Sequence, residues 1–320
     1  MKSFSILIFA LVFVSCNDDF SPNGKYIPKL IVYSVLDAAS DTQYVRVYSS
    51  FSPEQYVPDT QSPNTEITNA VVRVYDDSSE FIFTDTLVTV TVGNVAKNIH
   101  VFMHAKFKPK ERKLYHLSVQ SGEYPATTST ATGIEFAQII ITDTKPLSVP
   151  EPGKNVTFDV YLGRNTGAYL AVMRVEFEVL RNGKWTVYSM EVPLDIVTDE
   201  SGKVSKSYYP IPVLYRSKSA PDRFIPVNFS TEVYSATIRR IKEEFLTDYE
   251  TKNLRFKDVR FILTQFDNDI FTYYSVANNF PGATTIRLDE PDFTNMKNGY
   301  GIFGSISTQV KVYGIPSDFP

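Results

Sequence analysis

The sequence predicts a mainly β protein: two β-sandwich domains, immunoglobulin- or transthyretin-like, with one or two short helices in the second. Three observations predict it. Short runs rich in β-branched and aromatic residues recur along the chain, several of them alternating apolar with polar positions. Clusters of Asp, Asn, Ser, Gly and Pro separate these runs, as turns require. The apolar content, 43% hydrophobic with 20 Tyr and 23 Phe in 320 residues, fills a large core and excludes a disordered chain. At about 150 residues per domain the length fits two domains. A formal charge of −4 without a dominant basic or acidic block gives no electrostatic basis for binding nucleic acid.

The first element is not part of the fold. Met1-Lys2 supplies a positive start and Phe4 to Val14 an apolar run broken only by Ser5, the layout of a secretory signal. As a helix that run would span about 16 Å, too short for a hydrocarbon core of about 30 Å. It ends at Val14-Ser15-Cys16, and Cys16 is the only cysteine in the chain. The tripeptide resembles a bacterial lipobox, with Phe13 where Leu is common. The resemblance implies removal of residues 1–15 and a diacylglycerol thioether with an N-acyl chain on Cys16, the one covalent group expected; no other cofactor is. Residues 16–26 then form an acidic, solvated tether.

From residue 27 the strand-like runs begin. Leu30 to Leu36, Tyr44 to Tyr48 and Val71 to Tyr75 come first, the last closed by an Asp76-Asp77-Ser78-Ser79 turn. Val88 to Val92, Val101 to Phe107, Tyr115 to Val119 and Ala126 to Thr130 follow at sandwich spacing. These make a first domain over 27–130. A second, over 131–320, opens with Phe136 to Ile141, Asn155 to Tyr161, Met173 to Leu180 and Trp185 to Val192, where Asn182-Gly183 marks a tight hairpin. Ser235 to Tyr249 reads as a helix with Ile238, Ile241 and Phe245 on one face. Asp269 to Phe280 reads as another, opening at an Asx residue able to cap it. Lys297 to Gly301 reads as a turn before a last strand, Ile302 to Tyr313.

The Cys16 motif, the Pro28 to Tyr33 strand, the run Ile67 to Val72 and the closing Asn298-Gly299-Tyr300-Gly301-Ile302-Phe303-Gly304 together resemble a Bacteroidota lipoprotein family catalogued as domain of unknown function 4249. The resemblance covers most of the chain beyond Cys16 and carries no catalytic residues. It implies an outer-membrane lipoprotein, lipid-anchored and partnering a TonB-dependent receptor β-barrel. Asn17, Asp18 and Asp19 resemble the acidic signal that sends such lipoproteins to the cell surface; the periplasmic face is the alternative.

For chemistry the sequence offers little. His100 and His104 have the spacing of helical metal ligands, but on a strand their rings stand roughly 13 Å apart, so no metal site is expected. Asp267-Asn268-Asp269 and Asp289-Glu290-Pro291-Asp292 are the densest carboxylates. From Asp267 the sixth and twelfth positions of a calcium loop fall on Thr272 and Asn278, not Gly and Glu, so a helix cap and a solvated loop are the expected roles. Gly299 to Gly304 match dinucleotide glycine spacing but precede a strand, where such a loop must open a helix. Tight packing explains them better. Asp85-Thr86-Leu87 fits a short glycosylation motif. Tyr208, Tyr209, Tyr215 and Arg216, interleaved with Pro210 and Pro212, form a candidate partner-contact loop, because Tyr and Arg dominate interface hot spots. The expected function is a non-catalytic binding or accessory subunit in nutrient uptake. A surface adhesin and a glycan- or peptide-acting enzyme are the alternatives.

Overall fold

The computed structural model describes residues 27–50, 66–92, 95–122, 124–141, 143–215, 224–246, 253–278 and 293–316. The first half contributes β1 (Leu30–Asp37), β2 (Thr42–Ser49), β3 (Val71–Tyr75), β4 (Glu80–Val92), β5 (Val95–Ala105), β6 (Leu114–Gln120) and β7 (Thr127–Thr132). Then come β8 (Gln138–Ile141), the short helix α1 (Lys145–Ser148), β9 (Asn155–Tyr161), β10 (Ala168–Arg181), β11 (Lys184–Val192), β12 (Asp195–Thr198), β13 (Val204–Tyr208), β14 (Val213–Leu214) and β15 (Phe224–Ser230). The chain closes with α2 (Thr231–Phe245), β16 (Leu254–Phe266), α3 (Asn268–Asn278) and β17 (Gly299–Gly314). The mainly β class and the placing of the helices after residue 131 agree with the sequence.

One mixed sheet of 12 strands runs β11-β10-β16-β17-β1-β2-β5-β4-β3-β6-β7, with β14 added against β10. It folds over on itself at β4. Glu80 to Phe83 pair with β3 while Thr84 to Val92 pair with β5, so one strand serves two layers. Between the layers lies a cluster built from alternate residues: Leu30, Val32 and Leu36 of β1, Val72 and Val74 of β3, Leu117 and Val119 of β6. Each set obeys the period of two that a half-buried strand imposes.

The second cluster is built from residues beyond 131; the boundary read from the sequence falls inside β7, whose Ala131 still packs in the first cluster. Here the sheet β15-β9-β8 packs on the inner face of β10 and β16. Phe158 of β9 stacks on Phe261 of β16 at 4.0 Å between centroids, and Phe229 of β15 meets the same ring edge-on at 6.4 Å. Such pairs add about 0.5–1.5 kcal/mol each beyond the area they bury. Helix α2 seals one side with Val233, Tyr234, Ile238 and Ile241. Strand β17 belongs to both clusters, Phe303 to the first and Tyr313 to the second. From Lys29 on, the described residues form one unit.

Three sequence expectations are corrected. Helix α2 begins four residues early, because the Ser230 hydroxyl accepts the Glu232 N–H at 3.2 Å and Glu232 lies in the first turn, a proper N-terminus. Helix α3 starts at Asn268, and its cap is Asp267 rather than Asp269. Gly299 to Gly301 already lie in β17, paired in parallel with Leu30 to Val32. By contrast the Asn182-Gly183 hairpin is as read: Arg181 pairs with Lys184, and φ is +51° and +76° at the two turn residues, as a type I′ turn needs.

A hairpin-covered cleft as the candidate functional site

A cleft of about 860 Å³ lies between the β12–β13 hairpin, the end of β11 and helix α2. The hairpin owes its shape to Asp199. One carboxylate oxygen accepts the Ser201 hydroxyl at 2.6 Å, the Ser201 N–H at 2.9 Å and the Lys203 N–H at 3.0 Å. Those bonds, the Ser201 hydroxyl foremost, hold its carboxyl below the usual range. Gly202 at φ +79° completes the turn. Thus Ser201, Gly202 and Lys203 are presented to the cleft by a braced tip.

The floor is one face of α2. Glu232, Ala236, Arg239 and Glu243 line it, at spacings of four, three and four residues that put side chains in one row. The walls carry hydroxyls, among them Thr198, Ser205 and Ser207, over an apolar base of Met190, Ile196 and Val204. Several charges are already engaged: Glu191 with Arg174 at 3.3 Å, Arg240 with Glu244 at 3.8 Å, Glu232 with the Gly153 N–H at 3.3 Å. The site can therefore hold a polar, extended ligand by hydrogen bonds. Sequence reading missed it, because no single stretch carries it and its hairpin lacks the alternating apolar signature of a buried strand.

The candidate contact loop is split by the fold. Tyr208 and Tyr209 are each 45% exposed. Tyr209 lines the cleft, and the Lys206 ammonium sits 4.7 Å from the Tyr208 ring centroid. Leu194, whose N–H bonds the Tyr208 carbonyl at 2.8 Å, is exposed beside them, so Leu194, Tyr208 and Tyr209 form an apolar ridge adjoining the cleft. Ile211, Val213 and Leu214 are exposed farther along the chain, where β14 pairs with the start of β10. Tyr215 turns inward against the second cluster instead, its N–H bonded to the Gly167 carbonyl at 2.7 Å. Arg216, like Cys16, Asn17, Asp18, Asp19 and the Asp289 to Asp292 carboxylates, lies outside the described residues.

The three histidines all lie on strands, with His104 packed among Phe81, Phe83 and Phe107. His100 meets Asp85 at 3.2 Å across the β4–β5 hairpin. His104 lies edge-on to Phe81 at 5.4 Å, and His116 stacks on Tyr75 at 5.1 Å. Among the described residues no group of three or more His, Cys, Asp or Glu can hold a metal ion, and no helix is long and apolar enough to cross a membrane.

Among the described residues Asp267 is a buried carboxyl with a strongly raised pKa. Its two oxygens accept the Ile270 N–H at 2.7 Å and the Ser305 N–H at 2.5 Å, bracing the start of α3 against β17. Burial nevertheless outweighs these bonds, and Asp269 adds repulsion, so its pKa is pushed up to about 6. The native state then holds this proton more tightly than the unfolded chain does. Its contribution to stability is full below the ordinary value near 4 and is lost as pH rises through about 6. The loss amounts to about 3 kcal/mol. Denaturant titrations of the wild type and Asp267→Asn should show the wild type's advantage shrinking by that order between pH 4 and pH 7. A gap that does not move with pH would refute the assignment.

Comparison with known proteins gives a family. The family model described as "Domain of unknown function (DUF4249)" matches residues 17–311. Among curated proteins nothing matches. Among solved structures, the C-terminal globular domain of an oligosaccharyltransferase from Pyrococcus abyssi is similar at 12% identity and a TM-score of 0.25. The match covers 71% of this chain and 41% of that one. So remote a likeness carries no inference about activity.

Proposed function

The chain belongs to the DUF4249 family, and from that premise we propose that it is a lipid-anchored, non-catalytic binding subunit of the outer membrane. In this reading Cys16 carries the lipid and Asn17, Asp18 and Asp19 direct the protein to the cell surface. The partner is a TonB-dependent receptor β-barrel served in nutrient uptake. The observation that carries the reading is the pairing of a hydroxyl-lined cleft with the exposed Tyr208–Tyr209 ridge adjoining it. Tyrosines that present apolar rings with polar tips suit a protein contact.

Co-purification from detergent-solubilised outer membranes tests it. A β-barrel protein should accompany the wild-type chain, and Cys16→Ser should move the chain to the soluble fraction. Tyr208→Ala with Tyr209→Ala should weaken the association by about 2 kcal/mol or more, roughly 30-fold. Reproducible absence of a barrel from the wild-type preparation would overturn the partner; a Cys16→Ser chain still bound to membranes would overturn the anchor.

A further inference from the structure

The cleft follows strand edges. Successive side chains of a strand point to opposite faces, so a cavity resting on one face meets every second residue. This one meets both Met190 and Glu191 of β11, and the unbroken run Val204 to Ser207 of β13. Among the described residues both edges are unpaired: β11 ends the large sheet with β10 as its partner, and β13 pairs with β12 alone. An unpaired edge presents a row of backbone N–H and C=O groups that an added strand can satisfy. Here such a row flanks a cleft floored by helix α2.

We propose that this cleft is a strand-insertion slot, and that its occupant is an extended acidic segment of a partner protein. The occupant's backbone pairs with β13, and its side chains alternate between α2 and the mouth of the cleft. Length agrees: the five residues of β13 extend about 17 Å at ~3.4 Å each. A volume of about 860 Å³ lies within the usual range for ligand sites. Charge selects the acid. With Glu191 held by Arg174 and Arg240 held by Glu244, Lys203, Lys206 and Arg239 face Glu232 and Glu243. That is a local positive excess on a chain whose net charge is −4, so electrostatics favour an acidic segment at this place.

The inference rests on the reading that the chain works by binding. Peptide binding in solution needs neither lipid nor barrel, so its failure leaves the anchoring and co-purification results untouched. The probe is a capped, fluorescent hexapeptide alternating Val and Asp, titrated with the purified full chain in detergent and followed by anisotropy. It should bind saturably. The same peptide N-methylated at every backbone amide keeps its side chains but cannot donate from either edge, and should bind at least tenfold more weakly. A Val/Lys peptide should also lose at least tenfold, and Lys203→Glu with Arg239→Glu should invert that preference while circular dichroism keeps the wild-type spectrum. Equal binding of the N-methylated peptide would overturn strand pairing. Equal binding of the Val/Lys peptide would overturn the charge selection, and no binding by any of the three would overturn the slot itself.

Discussion

Gly301→Ala should be among the most destabilising single substitutions in this protein. Gly301 sits in β17 opposite Val32 of β1 with φ at +106°, a backbone conformation that only glycine adopts readily. A Cβ there would fall inside the contact distance of the Val32 carbonyl oxygen, a backbone atom that cannot swing aside. The backbone strain costs about 1–3 kcal/mol, and overpacking a tight site adds about 1–3 kcal/mol more. Because β1 and β17 join the two halves of the large sheet, relief of the clash would part that sheet at its parallel pair. The check is chemical denaturation of Gly301→Ala beside Gly314→Ala. Gly314 lies in the same strand, but an added Cβ there meets nothing within 4 Å, so its change should stay within about 0.5 kcal/mol. Equal effects of the two substitutions would refute the argument.

The neighbouring glycines explain why this end of the chain resembles a family signature. A Cβ at Gly299 would strike Thr127, and one at Gly304 would strike Ile270 and the Asp267 carboxylate. Three separate close approaches thus force glycine at three nearby positions, and such a demand is legible without a structure. The partner of that segment is not. Leu30 and Gly299 pair in register although 269 positions separate them, and nothing local in either stretch encodes the other. Strand β16 went unread for a different reason. Its buried residues run Phe256, Val259, Phe261, Leu263, Gln265, and the step from 256 to 259 breaks the period of two. A register shift accounts for it: Glu176 pairs with Asp258 while Phe177 pairs with Phe256, so Lys257 is an extra residue, a β-bulge. The outward residues Arg255, Lys257, Asp258 and Arg260 take part in ion pairs with Glu176 and Glu178 or with each other. Read alone, that charge density resembles a loop. The cleft was hidden by the same logic, since β11, the β12–β13 hairpin and α2 are brought together by the fold.

Gln265→Leu carries the second large effect, because it removes the polar centre of a buried junction. Gln265 is wholly buried. Its side-chain oxygen accepts the Gly163 N–H at 2.7 Å and the Thr166 hydroxyl at 2.9 Å, and its amide donates to the Glu135 carbonyl at 3.1 Å. These bonds tie β16 to the segment before β8 and to the turn between β9 and β10. Leucine fills nearly the same space and meets none of them. The Gly163 N–H and the Glu135 C=O would then lose their side-chain partner where little water can replace it, at about 1–3 kcal/mol for each group left unsatisfied. Thr166 can still donate to the Gly163 carbonyl, its other acceptor at 2.8 Å, so its share is smaller. A total loss of about 3–5 kcal/mol follows for Gln265→Leu, against about 1 kcal/mol for Thr166→Val, where the Gly163 and Glu135 bonds to Gln265 persist. Urea titrations of both variants decide it: similar midpoints would mean that Gln265 fills space and the network is incidental. A markedly lower midpoint for Gln265→Leu alone would place the stability of this junction in its hydrogen bonds. Hydrophobic volume cannot substitute for them, since the groups left behind are backbone and stay buried whatever side chain replaces the glutamine.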